Sequence, residues 1–182
     1  MRIRELERQE LPDLWSIDRA EVIEGAYQRE GDALVLKPAH IDVKGWPPGE
    51  SDLYGPILLD CFDHGGTLYG AFEGDTLVGA VVLESRFIGR RKDQLQLKFL
   101  HVSRRQRRSG LGRALFEKAV ARARELGAQR LYISATPSEN TVGFYLHRGA
   151  RATDDVDPAL FALEPEDIHL EYAIPSRGEG KA

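Results

Sequence analysis

The chain has 182 residues, of which 42% are hydrophobic and 30% charged, as is typical of one globular domain. A net charge of −4 argues against nucleic acid as the main partner. No apolar run reaches the roughly 20 residues that span a membrane, and the N-terminus lacks the apolar core of a signal peptide. With Cys61 as the single cysteine no internal disulfide can form, so we expect a cytoplasmic protein.

The first third of the chain predicts few regular elements. Residues 1–8 read as a strand, and a helix is predicted from residue 14 to about residue 21. Residues 40–56 are rich in Pro, Gly and Asp and predict a long irregular excursion. This excursion is either a binding wall or lid, or a surface loop anchored by Trp46. A short helix is predicted for residues 57–63.

Two consecutive hairpins are predicted in the middle of the chain. The first joins residues 67–72 to residues 76–84 through a turn at 73–75. The second pairs residues 78–86 with residues 94–102 and turns near Arg90. In the latter strand, Leu and Phe alternate with Gln and Lys, which predicts one apolar and one polar face.

The last part predicts helices alternating with strands. A helix over residues 111–126 ends at Gly127, and a strand follows over residues 130–136. A second helix covers residues 140–148, and a late hairpin ends with a strand over residues 168–174. The long helix is predicted to join its two flanking strands as a right-handed crossover, which makes them parallel.

These elements predict an α/β fold in a single domain over residues 1–175. No repeat or linker divides it. Residues 176–182 are polar and are predicted to form a disordered tail.

A glycine-bearing turn at Arg107-x-x-Gly110-x-Gly112 separates a predicted strand from a predicted helix. Such a turn gathers backbone N–H groups at the positive end of the helix dipole and can bind phosphate. The Walker pattern is absent, and Leu115 stands where the dinucleotide fingerprint needs its third glycine. The alternative is a tight strand–helix turn with solvated arginines.

Two blocks carry a family resemblance. Leu100-His101-Val102 runs into the glycine-bearing turn, and Phe144-Tyr145-x-x-x-Gly149-Ala150 follows in the right order and separation. Together they resemble acyl-CoA-dependent N-acetyltransferases of the GNAT superfamily over about residues 1–175. The resemblance implies a central mixed, mostly antiparallel sheet with a parallel, splayed strand pair and helices on both faces.

The resemblance also implies acetyl-CoA as co-substrate. The pantetheine arm would pair with the main chain of Leu100 and Val102. Either Ser138, seven residues before Tyr145, or Asn140, five before it, would touch CoA, unless Asn140 merely caps the helix. The pyrophosphate would be held by the backbone amides of Arg107, Arg108, Ser109, Gly110, Leu111 and Gly112, with Arg113 adjacent.

Tyr145 matches the family tyrosine that protonates the thiolate leaving group, the alternative being a core tyrosine. The family's glutamate base falls at Gln96, which cannot take a proton at neutral pH. A hairpin turning at Arg90 would bring Glu84 opposite Gln96, so Glu84 is the predicted base. The alternative is an ion pair of Glu84 with Lys98 or Arg86. Weaker candidates for the base are Glu21 and Glu24, in the region of the predicted early helix.

No metal is expected, because the five histidines show no i, i+4 spacing, and Cys61 has no evident catalytic partner. His101 is expected to be a strand residue near the cofactor. The function predicted is acetyl transfer to a primary amine in a ternary complex.

The acidic residues of 154–167 favour a cationic acceptor such as a polyamine, an aminoglycoside or a lysine-type amine. A neutral small amine or a protein N-terminus stays open, and a homodimer is possible. The rival function is a non-catalytic acyl-CoA sensor. A third, DNA binding through residues 104–108, lacks a supporting motif.

Overall fold

The structure is a computed structural model that describes residues 1–176. The last six residues of the predicted disordered tail lie outside the described range. None of the helices in residues 1–176 is long and apolar enough to cross a membrane. The elements in chain order are β1 (Arg2–Glu5), a 3₁₀ helix (Arg8–Ser16), β2 (Glu21–Glu30), β3 (Ala33–Val43), α1 (Glu50–Asp63), β4 (Thr67–Glu73), β5 (Thr76–Ile88), β6 (Gln94–Val102), a 3₁₀ turn (Arg104–Gln106), α2 (Leu111–Glu125), β7 (Arg130–Ala135), α3 (Glu139–Leu146), β8 (Arg151–Ala152), α4 (Pro158–Leu163) and β9 (Ile168–Ala173).

Seven strands form one mixed sheet in the order β1-β4-β5-β6-β7-β9-β8. The sheet is mostly antiparallel with one parallel pair, and helices flank it. Its central neighbours β6 and β7 are joined through α2, as a crossover connection requires. The predicted α/β fold class is therefore confirmed. A separate two-stranded sheet consists of β2 and β3.

The two predicted hairpins are present with tighter turns. Glu73 pairs with Thr76, so the first turn holds only two residues, and Gly74 supplies the positive φ of 61° that this turn requires. In the second hairpin, the Lys92 N–H donates to the Gly89 carbonyl over 3.1 Å.

The predicted helix over residues 14–21 is wrong in position and type. A 3₁₀ helix spans Arg8–Ser16, because a capping box between Glu7 and Glu10 starts it earlier. The chain is extended again at Ile17, and β2 begins at Glu21.

The prediction of an irregular segment over residues 40–56 is also wrong for most of its length. Strand β3 continues to Val43 and helix α1 begins at Glu50, so only six residues connect them. Pro56 misled the prediction, because it lies inside α1, and Pro38, just before the predicted segment, lies inside β3 in the same way. A proline normally interrupts both element types.

The described chain divides into two compact units. The first comprises residues 1–22, 42–86 and 97–122. Trp46 anchors its connection before α1, because the indole Nε1 donates to the Ile17 carbonyl over 2.9 Å. The apolar core of this unit consists of Leu6, Leu11, Leu14, Ile17, Leu58, Cys61, Leu68, Phe72, Leu77, Ala80, Val82 and Phe99.

The second unit comprises residues 23–41, 87–96 and the chain from residue 123 onward. Leu131, Tyr132, Ile133 and Leu170 are buried residues of its strands. Gly127 follows the end of α2 with φ 91°, as predicted for a helix stop. The single domain over residues 1–175 stays a prediction.

Candidate active site

The glycine loop, defined as Arg107–Gly112, follows β6 and runs into the first turn of α2 in the first unit. Its backbone is left-handed at Arg108, with φ 65°, and at Gly110, with φ 88°. A Cβ at Gly110 would meet no atom within 4 Å. Glycine is therefore favoured there by its backbone conformation rather than by crowding.

The first turn of α2 presents N–H groups beyond the helix end. Regular helical bonding begins with the Ala114 N–H, which donates to the Gly110 carbonyl over 3.0 Å. Ser109 Oγ lies 3.4 Å from the Leu111 N–H. The N–H groups of Gly112 and Arg113 point out of the first turn, where the helix dipole is positive. This geometry suits an anion such as a pyrophosphate.

The Arg107 side chain binds protein rather than pointing into solvent. Its Nε donates to the Val102 carbonyl over 3.2 Å, and its Nη1 donates to the Ala20 carbonyl over 3.0 Å. The guanidinium also lies 3.3 Å from Glu21 Oε2 and 3.4 Å from the Asp18 carbonyl. Arg107 thus clamps the loop to residues 18–21, a contact that the sequence did not reveal.

Of the other predicted residues of this region, Leu111 is buried and the rest are at least partly exposed. Leu100 and Val102 are partly exposed at the end of β6, while Arg108 is exposed. Arg113 is exposed and pairs with Glu117 at 2.7 Å, one helical turn along α2. Arg108 makes no side-chain hydrogen bond to any described residue, so its guanidinium is available to a ligand.

His101 belongs to an aromatic cluster. Its ring centroid lies 4.5 Å from that of Phe99 and 4.8 Å from that of Trp46. Burial, followed by the charges of Arg19 and Arg107, lowers the pKa of His101 to about 3. The imidazole is therefore neutral at neutral pH and acts as a packing group.

Glu84 is buried and engaged with two cations. Its Oε2 lies 3.1 Å from Arg86 Nη2 and 3.4 Å from Lys98 Nζ. Burial alone would raise the pKa of Glu84, but the hydrogen bonds from Arg86 and the Ser85 N–H, together with Lys98, hold that pKa below its usual value. Both ion pairs considered as alternatives to a base are thus present, and the role of base stays a prediction.

The weaker base candidates lie on β2 rather than on a helix. Glu21 pairs with Arg107, and the Glu24 carboxylate lies 3.1 Å from His40 Nδ1.

Within residues 1–176, no group of three or more His, Cys, Asp or Glu side chains is arranged to hold a metal.

Tyr145 lies on α3 in the second unit, with 5% of its surface exposed. Its ring packs edge-on to Phe144, with centroids 5.1 Å apart. Burial raises the pKa of Tyr145 above its usual value, so the phenol is protonated throughout the neutral range.

Ser138 is the N-cap of α3. Its buried Oγ accepts from the Thr141 N–H over 3.2 Å and donates to Thr141 Oγ1 over 2.9 Å. The cap considered for Asn140 is thus supplied by Ser138, while Asn140 is exposed within the first turn. Contact of either residue with CoA stays a prediction.

Three acidic residues of the late segment are engaged within the protein. Asp154 lies 3.1 Å from Arg29, and Asp155 lies 2.9 Å from Arg90. Asp157 accepts two backbone N–H groups as the N-cap of α4. The acidic composition therefore supports a cationic acceptor less than the bare sequence implied.

The fold resembles those of several acetyltransferases. Nourseothricin acetyltransferase superposes with a TM-score of 0.67 at 20% identity, covering 96% of this chain and 98% of that one. Aminoglycoside 6′-acetyltransferase type Ii gives a TM-score of 0.65 at 17% identity, covering 97% and 99%. PaiA N-acetyltransferase from Thermoplasma acidophilum, in complex with coenzyme A, gives a TM-score of 0.58 at 17% identity, covering 94% of this chain and 98% of that one.

No curated protein sequence matches the chain significantly. Residues 2–150, however, match the pattern of the acetyltransferase (GNAT) family. That range includes the glycine loop, Glu84 and Tyr145, and the described fold agrees with it. The chain therefore belongs to the acetyltransferase (GNAT) family.

Proposed function

We propose that the protein transfers an acetyl group from acetyl-CoA to a primary amine, with both substrates bound together. The glycine loop carries this proposal: left-handed backbone at Arg108 and Gly110 leads into the outward N–H groups of α2. These groups would bind the CoA pyrophosphate, with Arg108 adding a charge-assisted contact. The main chain of Leu100 and Val102 would pair with the pantetheine arm.

The proposed reaction is a direct displacement. The amine nitrogen attacks the thioester carbonyl carbon, and a backbone N–H near Leu100 stabilises the resulting oxyanion. Collapse of the tetrahedral intermediate breaks the carbon–sulfur bond. Tyr145 donates its proton to the departing thiolate, and the proton lost by the amine passes to Glu84 or to water.

Replacing Tyr145 by phenylalanine tests the general acid. We expect kcat to fall roughly 100-fold, while the KM for acetyl-CoA changes little, because only the proton donor is removed. The raised pKa places loss of the tyrosine proton above pH 10, so wild-type kcat has no basic limb from Tyr145 near neutrality.

Phe144→Leu is the matched control, because it changes the aromatic neighbour and leaves the phenol in place. The rate of thiol release from acetyl-CoA gives kcat and KM for wild type, Tyr145→Phe and Phe144→Leu. Equal kcat in Tyr145→Phe and wild type would remove Tyr145 from the mechanism.

Glu84→Gln tests the base. A lowered pKa keeps Glu84 ionised at neutral pH, although Arg86 and Lys98 weaken its basicity. If Glu84 is the base, Glu84→Gln should lower kcat/KM roughly 100-fold. Asp60→Asn is the matched control, because it removes a second partner of Arg86, at 2.6 Å, and leaves Glu84 intact.

A drop in kcat/KM confined to Glu84→Gln supports the base. An unchanged rate together with reduced stability assigns the residue to its ion pairs alone. Folding of each variant is checked by urea denaturation.

The acceptor class is tested with a panel of amines. Two of the structurally similar proteins are named for nourseothricin and for aminoglycosides, which favours an aminoglycoside-like acceptor among the cationic amines considered. We therefore expect the highest kcat/KM among polycationic amines, above neutral amines and peptide N-termini. If no amine on a broad panel is acetylated while calorimetry shows CoA binding, the acyl-CoA sensor becomes the better assignment.

A further inference from the structure

The second unit contains a charged groove that the acetyl-transfer chemistry does not use. Its volume is about 370 Å³, within the usual range for small-ligand sites. We call it the arginine groove; its lining residues are Arg90, Arg91, Arg130, Arg151, Asp154, Asp155 and Glu171.

The acceptors of Glu171 are already filled by the protein. Its Oε1 accepts from Arg151 Nε over 2.8 Å and from Arg151 Nη2 over 2.6 Å. Its Oε2 accepts from Arg130 Nη1 over 2.8 Å and from Thr153 Oγ1 over 3.1 Å. Glu171 is buried, so little of its negative charge is left for a ligand cation.

The two carboxylate oxygens of Asp155 also accept hydrogen bonds from within the protein. Its Oδ1 accepts from Arg90 Nε over 2.9 Å, while Oδ2 accepts from the Arg90 main-chain N–H over 2.9 Å and from Gln94 Nε2 over 3.3 Å. The backbone hydrogen bond from Arg90 is the main cause that lowers the pKa of Asp155. Asp155 therefore stays ionised and committed to the groove wall.

Hydrogen-bond donors are in surplus. A guanidinium carries five N–H donors and no acceptor. Arg91 is exposed and makes no hydrogen bond within residues 1–176. The two Nη atoms of Arg90 and Nη1 of Arg151 likewise find no acceptor in the described part of the chain. The third lining carboxylate, Asp154, is exposed and accepts from Arg29 Nη2 over 3.1 Å through Oδ1 alone. The groove thus offers free guanidinium donors beside carboxylates that are each already bonded to an arginine.

The groove is also held in shape before any ligand arrives. Arg90 and Arg91 sit in the β5–β6 turn, which Asp155 fixes through the Arg90 backbone N–H. A Cβ at Gly89 would lie 2.7 Å from Gln94 Nε2 and 3.1 Å from Asp155 Oδ2, so the turn packs closely there. A fixed turn backbone reduces the part of the ordering cost of binding that falls on the main chain.

We propose that the arginine groove binds a small polyanion carrying at least two phosphate or carboxylate groups. Planar guanidinium forks recognise both groups by paired, charge-assisted hydrogen bonds. A ligand anion would bridge Arg91 with the free nitrogens of Arg90 and Arg151. The site is separate in sequence from the glycine loop and shares none of its residues.

Calorimetric titration of the whole protein tests this proposal, with pyrophosphate and citrate as probes. CoA is present at saturation so that the glycine loop is occupied. We expect saturable binding of at least one probe, weakened by added salt. Arg91→Gln and Arg151→Gln should each reduce the affinity roughly tenfold.

Arg8→Gln is the matched control, because Arg8 is an exposed arginine with two bonds, of 2.8 and 2.9 Å, to one carboxylate, Asp63. Its probe affinity should equal that of wild type. Tighter binding of pyrophosphate assigns the site to phosphates, and tighter binding of citrate assigns it to carboxylates.

No saturable heat with either probe, or equal affinity in Arg91→Gln and wild type, would overturn the proposal. Because Arg91 has no intramolecular partner among the described residues, Arg91→Gln is informative even if Arg151→Gln fails to fold. A similar loss in Arg8→Gln would reveal non-specific charge attraction and would also overturn it.

Discussion

The glycine loop and the arginine groove are both rich in arginine, yet they present donors to an anion in different ways. In the loop, the first backbone N–H groups of α2 are available to an anion. The Arg107 guanidinium instead donates to the carbonyls of Val102 and Ala20 and so holds the loop in place. In the groove, the donors belong to guanidinium groups, of which Arg151 is bonded to the buried Glu171 and Arg90 to the partly buried Asp155. A loop of this kind depends on backbone conformation, whereas the groove depends on a balance of side-chain charges.

Breaking the charge balance of the groove should have the largest effect on stability. Glu171→Gln removes a carboxylate with 7% side-chain exposure that holds both Arg130 and Arg151. Removing one partner of a buried ion pair costs about 3 kcal/mol of unfolding free energy. Urea denaturation at pH 7 measures this loss.

Asp63→Asn provides the control for Glu171→Gln. Asp63 also binds an arginine, Arg8, but its side chain is 43% exposed. We expect a loss below about 1 kcal/mol. Equal losses in the two variants would show that Glu171 does not hold the groove in the way described.

Backbone conformation in the glycine loop is tested by two matched glycines that flank α2. Gly110 has φ 88° and Gly127 has φ 91°, and a Cβ at either position meets no atom within 4 Å. Replacement by alanine strains each backbone by about 1–2 kcal/mol. Only Gly110→Ala should also raise the KM for acetyl-CoA, roughly tenfold.

Both alanine variants are compared by thermal unfolding and by initial-rate kinetics. Similar losses of stability with a KM change confined to Gly110→Ala would support the loop as the CoA site. An equal KM for the two variants would contradict it.

The glycine loop could be predicted from the sequence and the arginine groove could not, because the loop is one continuous stretch and the groove is assembled from distant residues. The glycine loop was recognised because its strand, turn and helix signals occupy one short stretch, from Leu100 to Gly112. The positive φ at Gly110 and the stop at Gly127 were likewise local properties of the sequence. Local signals of this kind need no knowledge of the tertiary structure.

The arginine groove was not predicted, because its residues come from four separate parts of the chain. Arg90, Arg130 and Arg151 meet only after the second unit has folded. For the same reason the acidic segment was interpreted as a sign of a cationic acceptor, although Asp155 turns out to pair with Arg90. Charge counted along the sequence does not reveal which charges are neutralised by distant partners.

Strands β2 and β3 were missed for a different physical reason. Pro38 and Gly25 lie within them, and both residue types are unfavourable in strands. The structure supplies compensation that the sequence does not show, such as the Tyr27 N–H donating to the Pro137 carbonyl over 2.7 Å. Tertiary contacts therefore decided these elements against local propensity.

The smallest expected effects are those of replacing the two neighbouring arginines of the glycine loop, Arg107 and Arg108, by glutamine. Arg108→Gln should weaken CoA binding about threefold to fivefold and reduce its salt dependence, because one exposed guanidinium is lost from an anion site. Stability should be unchanged. Arg107→Gln should instead lower the unfolding free energy by about 1 kcal/mol, since its bonds go to Val102 and Ala20.

Calorimetry with CoA at two salt concentrations, together with urea denaturation, distinguishes these outcomes. Loss of the salt dependence in Arg107→Gln without loss of stability would reverse the roles assigned to the two residues. The expected pattern would instead show that a loop binding through its backbone uses one arginine to fix its shape and the next to attract its ligand.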